Sequence, residues 1–80
     1  MYYVYLIQSI KNPEKTYAGY TTKLKERLQK HNEGGSVFTS TYRPWKLIIY
    51  LAFRDKGKAL EFEIYLKSHS GRTFAKKRFW

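Results

Sequence analysis

Several polar side chains that can do chemistry fall where the hydrophobic pattern calls for buried residues. Arg27 and His31, spaced i and i+4, lie on the apolar arc of one predicted helix, and Glu63 lies on that of another. Tyr5 and Tyr17 lie on the two strands of a predicted N-terminal hairpin. A guanidinium, an imidazole, a carboxylate and two phenols that face one interior suit a site for a charged substrate. The net charge of +10 indicates that this substrate is anionic.

Each of these residues also has an ordinary structural explanation. A tyrosine on a strand is usually a packing residue, and an arginine on a helix usually extends its charged end to water. A histidine near a helix C-terminus often interacts only with the last carbonyl groups. Taken singly, these explanations prevail, so it is the joint occurrence of the polar residues that favours a functional site.

Composition narrows the class of protein and of partner. Sixteen Lys and Arg against six Asp and Glu favour nucleic acid, because clustered cations release counterions from its phosphates. A membrane surface is less favoured, since no predicted helix is a basic amphipath with a broad apolar face. The chain has no cysteine, which excludes disulfides and thiolate metal sites and fits a reducing compartment. No signal-peptide pattern or long apolar run occurs, so we expect a soluble, cytoplasmic protein.

The elements that must position the polar residues fit a single domain over residues 1–80. Asn12-Pro13 marks a turn between the first two strands. If the turn is centred near Asn12, Tyr5 and Tyr17 share one face of the hairpin as diagonal neighbours, a relation that a one-residue slip would break. The expected elements are a strand over 2–8, a strand over 16–21, a helix from an N-cap at Thr22 to Gly34-Gly35, a loop over 36–45, a strand over 47–53, a turn over 55–57, a helix over 58–68, and a short final helix within 71–80.

The phase of the second helix distinguishes two neighbouring glutamates. Ala59, Phe62, Glu63 and Leu66 form one stripe at helical spacing, whereas Glu61 points the opposite way. We therefore expect Glu63, and not Glu61, to face the site.

The residues that carry this pattern match a known family. Tyr3-Val4-Tyr5, Tyr17-Ala18-Gly19, Arg27, His31 and Glu63, in this order and spacing, resemble the GIY-YIG nuclease superfamily. The resemblance covers nearly the whole chain and is greatest to the small single-domain, excinuclease-like members. The chain departs from the family pattern where Tyr3 replaces a glycine and Ala18 an isoleucine, and where no asparagine follows Asn32.

The resemblance implies a fold and a mechanism. The fold is α/β (α+β), a small three-stranded antiparallel sheet flanked by helices. The activity is metal-dependent hydrolysis of phosphodiester bonds in DNA, with Glu63 holding Mg²⁺ or Mn²⁺ and Arg27 clamping the phosphate. Tyr5 is the implied general base, which requires Arg27 or the metal to lower its pKa. Tyr17 and His31 position the reactants or relay the proton. A phosphotyrosyl intermediate is the alternative route.

The expected partner is DNA, in branched or nicked form by analogy with the family. Weak homo-oligomerisation would enlarge the area of contact with the DNA. Without room for a second domain, we expect salt-sensitive binding that is largely independent of sequence. A rival interpretation is a non-catalytic nucleic-acid binding module on the same fold. A small RNA-binding protein is a third, and it requires aromatic residues on an exposed face. The cations expected to contact the nucleic acid are Lys25, Arg43, Lys67, Arg72, Lys76 and Lys77.

Overall fold

A three-stranded antiparallel sheet with helices on both faces forms the protein. The computed structural model describes residues 1–34 and 37–80. The strands are arranged in the order β2-β1-β3, which confirms the predicted fold class. The elements are β1 (Tyr2–Ser9), β2 (Thr16–Thr21), α1 (Leu24–Asn32), α2 (Val37–Thr41), β3 (Trp45–Phe53), α3 (Lys56–Lys67) and α4 (His69–Arg78).

The central strand β1 is buried on both faces, as its nearly continuous apolar sequence predicts. Val4 and Leu6 belong to a core cluster beneath α3 and α4. Tyr5 and Ile7 point to the other face, where they pack with Trp45 and with the apolar side of α1. The strand therefore contributes alternate residues to two separate hydrophobic layers.

The hairpin has the register that the sequence predicts. Tyr5 pairs with Gly19 and Ile7 pairs with Tyr17, so Tyr5 and Tyr17 are diagonal neighbours on one face. The turn is closed by a hydrogen bond of 2.8 Å from the Lys15 N–H to the Asn12 carbonyl. This register brings the two phenols together.

Three local predictions differ from the structure. The predicted loop over 36–45 is wrong where α2 forms, and β3 already begins at Trp45. The predicted turn over 55–57 is the start of α3, because the Asp55 side chain caps that helix by accepting from the Gly57 N–H at 2.8 Å. Thr22 is not the N-cap of α1, since Lys23 occupies that position without a side-chain cap.

The remaining element bounds shift by few residues. α1 ends at Asn32, and Gly34 follows it with a φ of +86°, a conformation that favours glycine. Gly35 and Ser36, which we placed at the helix end and the loop start, lie outside the described residues. The predicted final helix forms and begins earlier, at His69.

Helices α3 and α4 meet at a tight corner. The Ser68 hydroxyl donates to the Tyr65 carbonyl at 2.6 Å and accepts from the Gly71 N–H at 3.1 Å. A Cβ at Gly71 would collide with the Tyr65 carbonyl, so the close approach requires glycine. The corner sets the angle at which the basic helix α4 leaves α3. Within the described part of the chain, no helix has the length and apolar character needed to cross a membrane.

Candidate active site

A hydrogen bond between a phenol and an imidazole lies at the centre of the site. The Tyr5 hydroxyl is 2.7 Å from His31 Nε2, and both residues are buried, with Tyr5 fully inaccessible to solvent. The Arg27 guanidinium lies close enough to lower the pKa of the Tyr5 hydroxyl. The direction of the Tyr5–His31 hydrogen bond depends on the imidazole tautomer, and with the His31 proton on Nδ1 the Tyr5 O–H donates to Nε2.

The pKa of Tyr5 moves opposite to the direction that the sequence interpretation required. Burial raises this pKa to about 12, and Tyr17 and Glu63 act in the same direction. Arg27 lowers it, as expected, but its effect is smaller than the loss of hydration on burial. At neutral pH only about one molecule in 10⁵ carries a Tyr5 phenolate. Without a proton acceptor beside it, Tyr5 is therefore a weak base.

His31 has the properties of that acceptor. Burial lowers its pKa, and the nearby positive charge of Arg27 lowers it further. The imidazole is thus neutral at physiological pH, and its Nε2 can accept the proton of the Tyr5 hydroxyl. Arg27 itself is exposed to solvent, although we expected it to face the interior.

Tyr17 completes an aromatic cluster with these two residues. Its ring centroid is 6.4 Å from that of Tyr5 and 5.2 Å from that of His31. Tyr17 is half-buried, so its ring borders solvent while Tyr5 lies behind it. A substrate that approaches the cluster therefore meets Tyr17 before Tyr5.

Helix α3 adds a carboxylate and an ammonium group to the site. Glu63 is largely buried, with 18% of its side chain exposed, whereas Glu61 is 75% exposed on the far side of the helix. Lys67 lies one turn further on, with Nζ 2.7 Å from Glu63 Oε2 and 5.9 Å from the Tyr17 ring centroid. The helix phase thus turns Glu63 inward and Glu61 outward.

The donor set around Glu63 fits a divalent ion with one protein ligand. Among residues 1–34 and 37–80, no three His, Asp or Glu side chains gather as a metal site. Mg²⁺ commonly keeps several waters and binds through one or two carboxylates plus substrate phosphates. Glu63 already accepts a cation, the Lys67 ammonium, on its carboxylate oxygen. The carboxylate therefore offers an oxygen ligand of the kind that divalent cations bind, with the Lys67 ammonium as the cation now beside it.

Gly19 lies against Tyr5 but was not among the site residues that we predicted from the sequence. The Tyr5 ring lies across the Gly19 backbone, and a Cβ there would come within 2.5 Å of Tyr5 Cζ. Only glycine leaves room for the phenol in this register. The sequence signal was present, because a glycine within a strand often marks a close approach by another group.

Asn32 is a second residue that was not predicted. Its side chain accepts from the Trp45 N–H at 2.6 Å and donates to the Trp45 carbonyl at 3.3 Å. This pair of hydrogen bonds joins the end of α1 to the start of β3. Because His31 precedes Asn32, the link also fixes the position of the imidazole.

The predicted nucleic-acid contacts divide into two groups. Lys67, Arg72 and Lys76 line one groove of about 820 Å³ together with Tyr17. Lys25 lies instead in a shallow depression with Tyr3 and Tyr50. Two further predicted contacts, Arg43 and Lys77, are exposed and also lie outside the groove.

Comparisons with known proteins identify the family of the chain. The family model of the GIY-YIG catalytic domain matches residues 1–78. The UPF0213 protein YsiG of Lactococcus lactis is 37% identical over 67 residues, which cover 82% of this chain and 62% of that protein. A structure-specific endonuclease subunit SLX1 homolog of Giardia intestinalis is 34% identical over 65 residues, covering 76% of this chain and 18% of that protein. The chain thus spans only part of either relative.

A solved structure is similar over nearly the whole chain. The solution NMR structure of the UPF0213 protein BH0048 from Bacillus halodurans has a TM-score of 0.57 and 32% sequence identity. The match covers 96% of this chain and 82% of that one.

Proposed function

Because the chain belongs to the GIY-YIG catalytic domain family, we propose that it is a metal-dependent endonuclease that hydrolyses phosphodiester bonds in DNA. The observation that carries the proposal is the buried Tyr5–His31 hydrogen bond of 2.7 Å beside Arg27 and Glu63. A packing role for Tyr5 does not require a buried imidazole on its hydroxyl and a guanidinium nearby.

Tyr5 and His31 act together as the base. The Tyr5 oxygen takes a proton from the attacking water while the phenolic proton passes to Nε2 of His31. This coupled transfer avoids a free phenolate, which the raised pKa of about 12 makes scarce. His31 is ready to accept because its lowered pKa keeps it neutral. Tyr5 remains the general base, and His31 takes the relay role.

Arg27 and Tyr17 handle the phosphate and the water. The exposed guanidinium of Arg27 can bind two phosphate oxygens and stabilise the charge that develops on them in the transition state. Tyr17 borders solvent next to His31, which suits it to orient the attacking water. Glu63 would hold Mg²⁺ or Mn²⁺, which when bound supplies further stabilisation of the phosphate and the leaving oxygen.

The substrate proposal rests on the charge of the chain and on its relatives. The net charge of +10 favours a polyanion, and two curated relatives carry the name of a structure-specific endonuclease subunit. We therefore propose branched or nicked DNA as the preferred substrate.

The test is cleavage of plasmid, nicked and branched DNA with Mg²⁺ or Mn²⁺. Glu63→Gln should abolish cleavage and Glu61→Gln should leave it nearly unchanged, because only Glu63 faces the tyrosines. Both substitutions remove one negative charge from α3, so they are matched in their effect on DNA attraction. Equal losses would contradict the assignment of Glu63. DNA binding without any metal-dependent cleavage would favour the non-catalytic module instead.

A further inference from the structure

The groove that Tyr17 and Lys67 share with the candidate active site extends well beyond it. It runs past the β2 edge of the sheet to α4 and Trp80, and its volume is about 820 Å³. Sites for small organic ligands usually measure about 300–1,000 Å³, so this groove is large enough for a bound group. The chemistry assigned above uses only one end of it.

Aromatic rings and cations line the groove together with apolar core residues. The aromatic members are Tyr17, Phe38 and Trp80, and the cations are Lys67, Arg72 and Lys76. Phe38 and Trp80 are each 40% exposed, although large aromatic side chains usually bury more of their surface. Glu14 is the acidic lining residue among those described. The exposed aromatic rings suit stacking with nucleobases. The cations outnumber the acidic lining residue, which suits binding of phosphates.

The Phe38 ring is held in place by packing against other rings. Its ring centroid lies 6.1 Å from that of Tyr17, 5.2 Å from that of Tyr42 and 5.8 Å from that of Trp45. A ring packed on several sides loses little freedom when a base stacks on its open face. Trp80 is positioned by its backbone N–H, which donates to the Ala75 carbonyl at 3.0 Å.

We propose that this groove binds unpaired nucleotides of the substrate strand, with bases stacked on Phe38 and Trp80 and phosphates on Arg72 and Lys76. In a duplex the faces of the bases are already stacked, so exposed aromatic rings can bind only unpaired bases. Because Tyr17 and Lys67 belong to both sites, the strand continues from the groove to the reacting phosphate. The identity of that strand rests on the proposed function.

Tryptophan fluorescence tests the groove without any cleavage. The second tryptophan, Trp45, is 5% exposed and its indole N–H donates to the Thr39 carbonyl at 2.8 Å, and its emission alone is measured in Trp80→Phe. Titration with short oligothymidylate in EDTA should quench the Trp80 emission. The quench should vanish in Trp80→Phe, which keeps a stacking ring and most of the affinity. Trp80→Ala should weaken binding by about 5- to 150-fold, the range that stacking contributes per base.

Adjacent lysines provide a matched charge control. Lys76 lines the groove and Lys77, also on α4, does not. At about 0.15 M salt, where distant charges are screened, the loss of oligothymidylate affinity in Lys76→Ala should be several-fold larger than the loss in Lys77→Ala. A duplex with a single-stranded extension should also bind more tightly than a blunt duplex of equal charge.

The inference is overturned if oligothymidylate leaves the Trp80 emission unchanged, or if the two lysine variants lose affinity equally. Trp80→Phe is the control for misfolding of Trp80→Ala. It keeps a stacking ring, so its affinity should be close to that of the wild type. A protein that quenches as expected but never cleaves DNA would refute the proposed endonuclease and leave the nucleotide groove standing. Cleavage without quenching would support the endonuclease and refute the nucleotide groove.

Discussion

Gly19→Ala should inactivate the site without removing any reactive group. The added Cβ would lie within 2.5 Å of Tyr5 Cζ, whereas carbon atoms in contact are normally about 3.5–4.0 Å apart. The ring must therefore retreat by about 1 Å. Because Tyr5 is fully buried, it has no open space to move into.

The size of the effect follows from the hydrogen bond that is lost. A retreat of about 1 Å would stretch the 2.7 Å contact between Tyr5 and His31 beyond hydrogen-bonding range. Misplacement by about 1 Å commonly lowers a catalytic rate by about 10²-fold. Overpacking of this kind also lowers the free energy of unfolding by about 1–3 kcal/mol. We expect both losses in Gly19→Ala.

A double variant separates displacement of the phenol from general damage. Tyr5→Phe removes the hydroxyl, the atom nearest to the added Cβ. Because Cζ, at 2.5 Å from the added Cβ, is still present, Gly19→Ala should cost similar stability in that background, yet it should lower the residual cleavage rate little further. The measurements are kcat/KM on the best DNA substrate and urea unfolding of all variants. Gly57→Ala is the control, since its Cβ would meet only Asp55 Oδ1 at 3.2 Å.

The reasoning fails if Gly19→Ala cleaves at the wild-type rate. It also fails if the losses from Gly19→Ala and Tyr5→Phe simply multiply, because independent effects would mean that Gly19 does not act through the phenol.

Other measurements probe the same site. Because burial raises the pKa of Tyr5 to about 12, the wild type should lose about 2–3 kcal/mol of unfolding free energy between pH 10 and 12, and Tyr5→Phe should not show this loss. The lowered pKa of His31 means that stability and cleavage should both decline as the pH falls below 6.5, and His31→Gln should lack the stability change. Lys67→Ala should strengthen Mn²⁺ binding at Glu63, measured calorimetrically without DNA, since it removes a competing cation; unchanged affinity would contradict this. Affinity for DNA should fall by about 10²–10⁴-fold between 50 and 200 mM salt, and a flat salt titration would refute phosphate binding.

Much of the fold was predictable because local and tertiary preferences agree. The run of apolar residues in β1 predicts a strand buried on both faces, and Tyr5 and Ile7 do face a different layer from Val4 and Leu6. The helical phase likewise separates Glu63 from Glu61. These features depend on periodicity, which the sequence contains in full.

Other features depend on contacts between distant residues. Helix α2 (Val37–Thr41) is rich in β-branched and hydroxyl residues that disfavour helix, so the packing of Phe38 against Tyr42 and Trp45 has the larger influence. The link from Asn32 to Trp45 leaves no periodic signal. The direction of the Tyr5 pKa shift depends on whether burial or Arg27 has the larger effect, and only the three-dimensional arrangement decides that.

The distribution of the reactive groups along the chain couples activity to folding. The proton donor and acceptor of the central hydrogen bond are 26 residues apart in sequence, and the carboxylate lies on a later helix. A partly folded chain that has formed only the hairpin holds two phenols and neither the imidazole nor the carboxylate beside them. An enzyme that cuts DNA endangers the genome of its own cell whenever it acts out of place. Under the proposed mechanism, a chain that has not completed its fold lacks the assembled groups that cleavage requires.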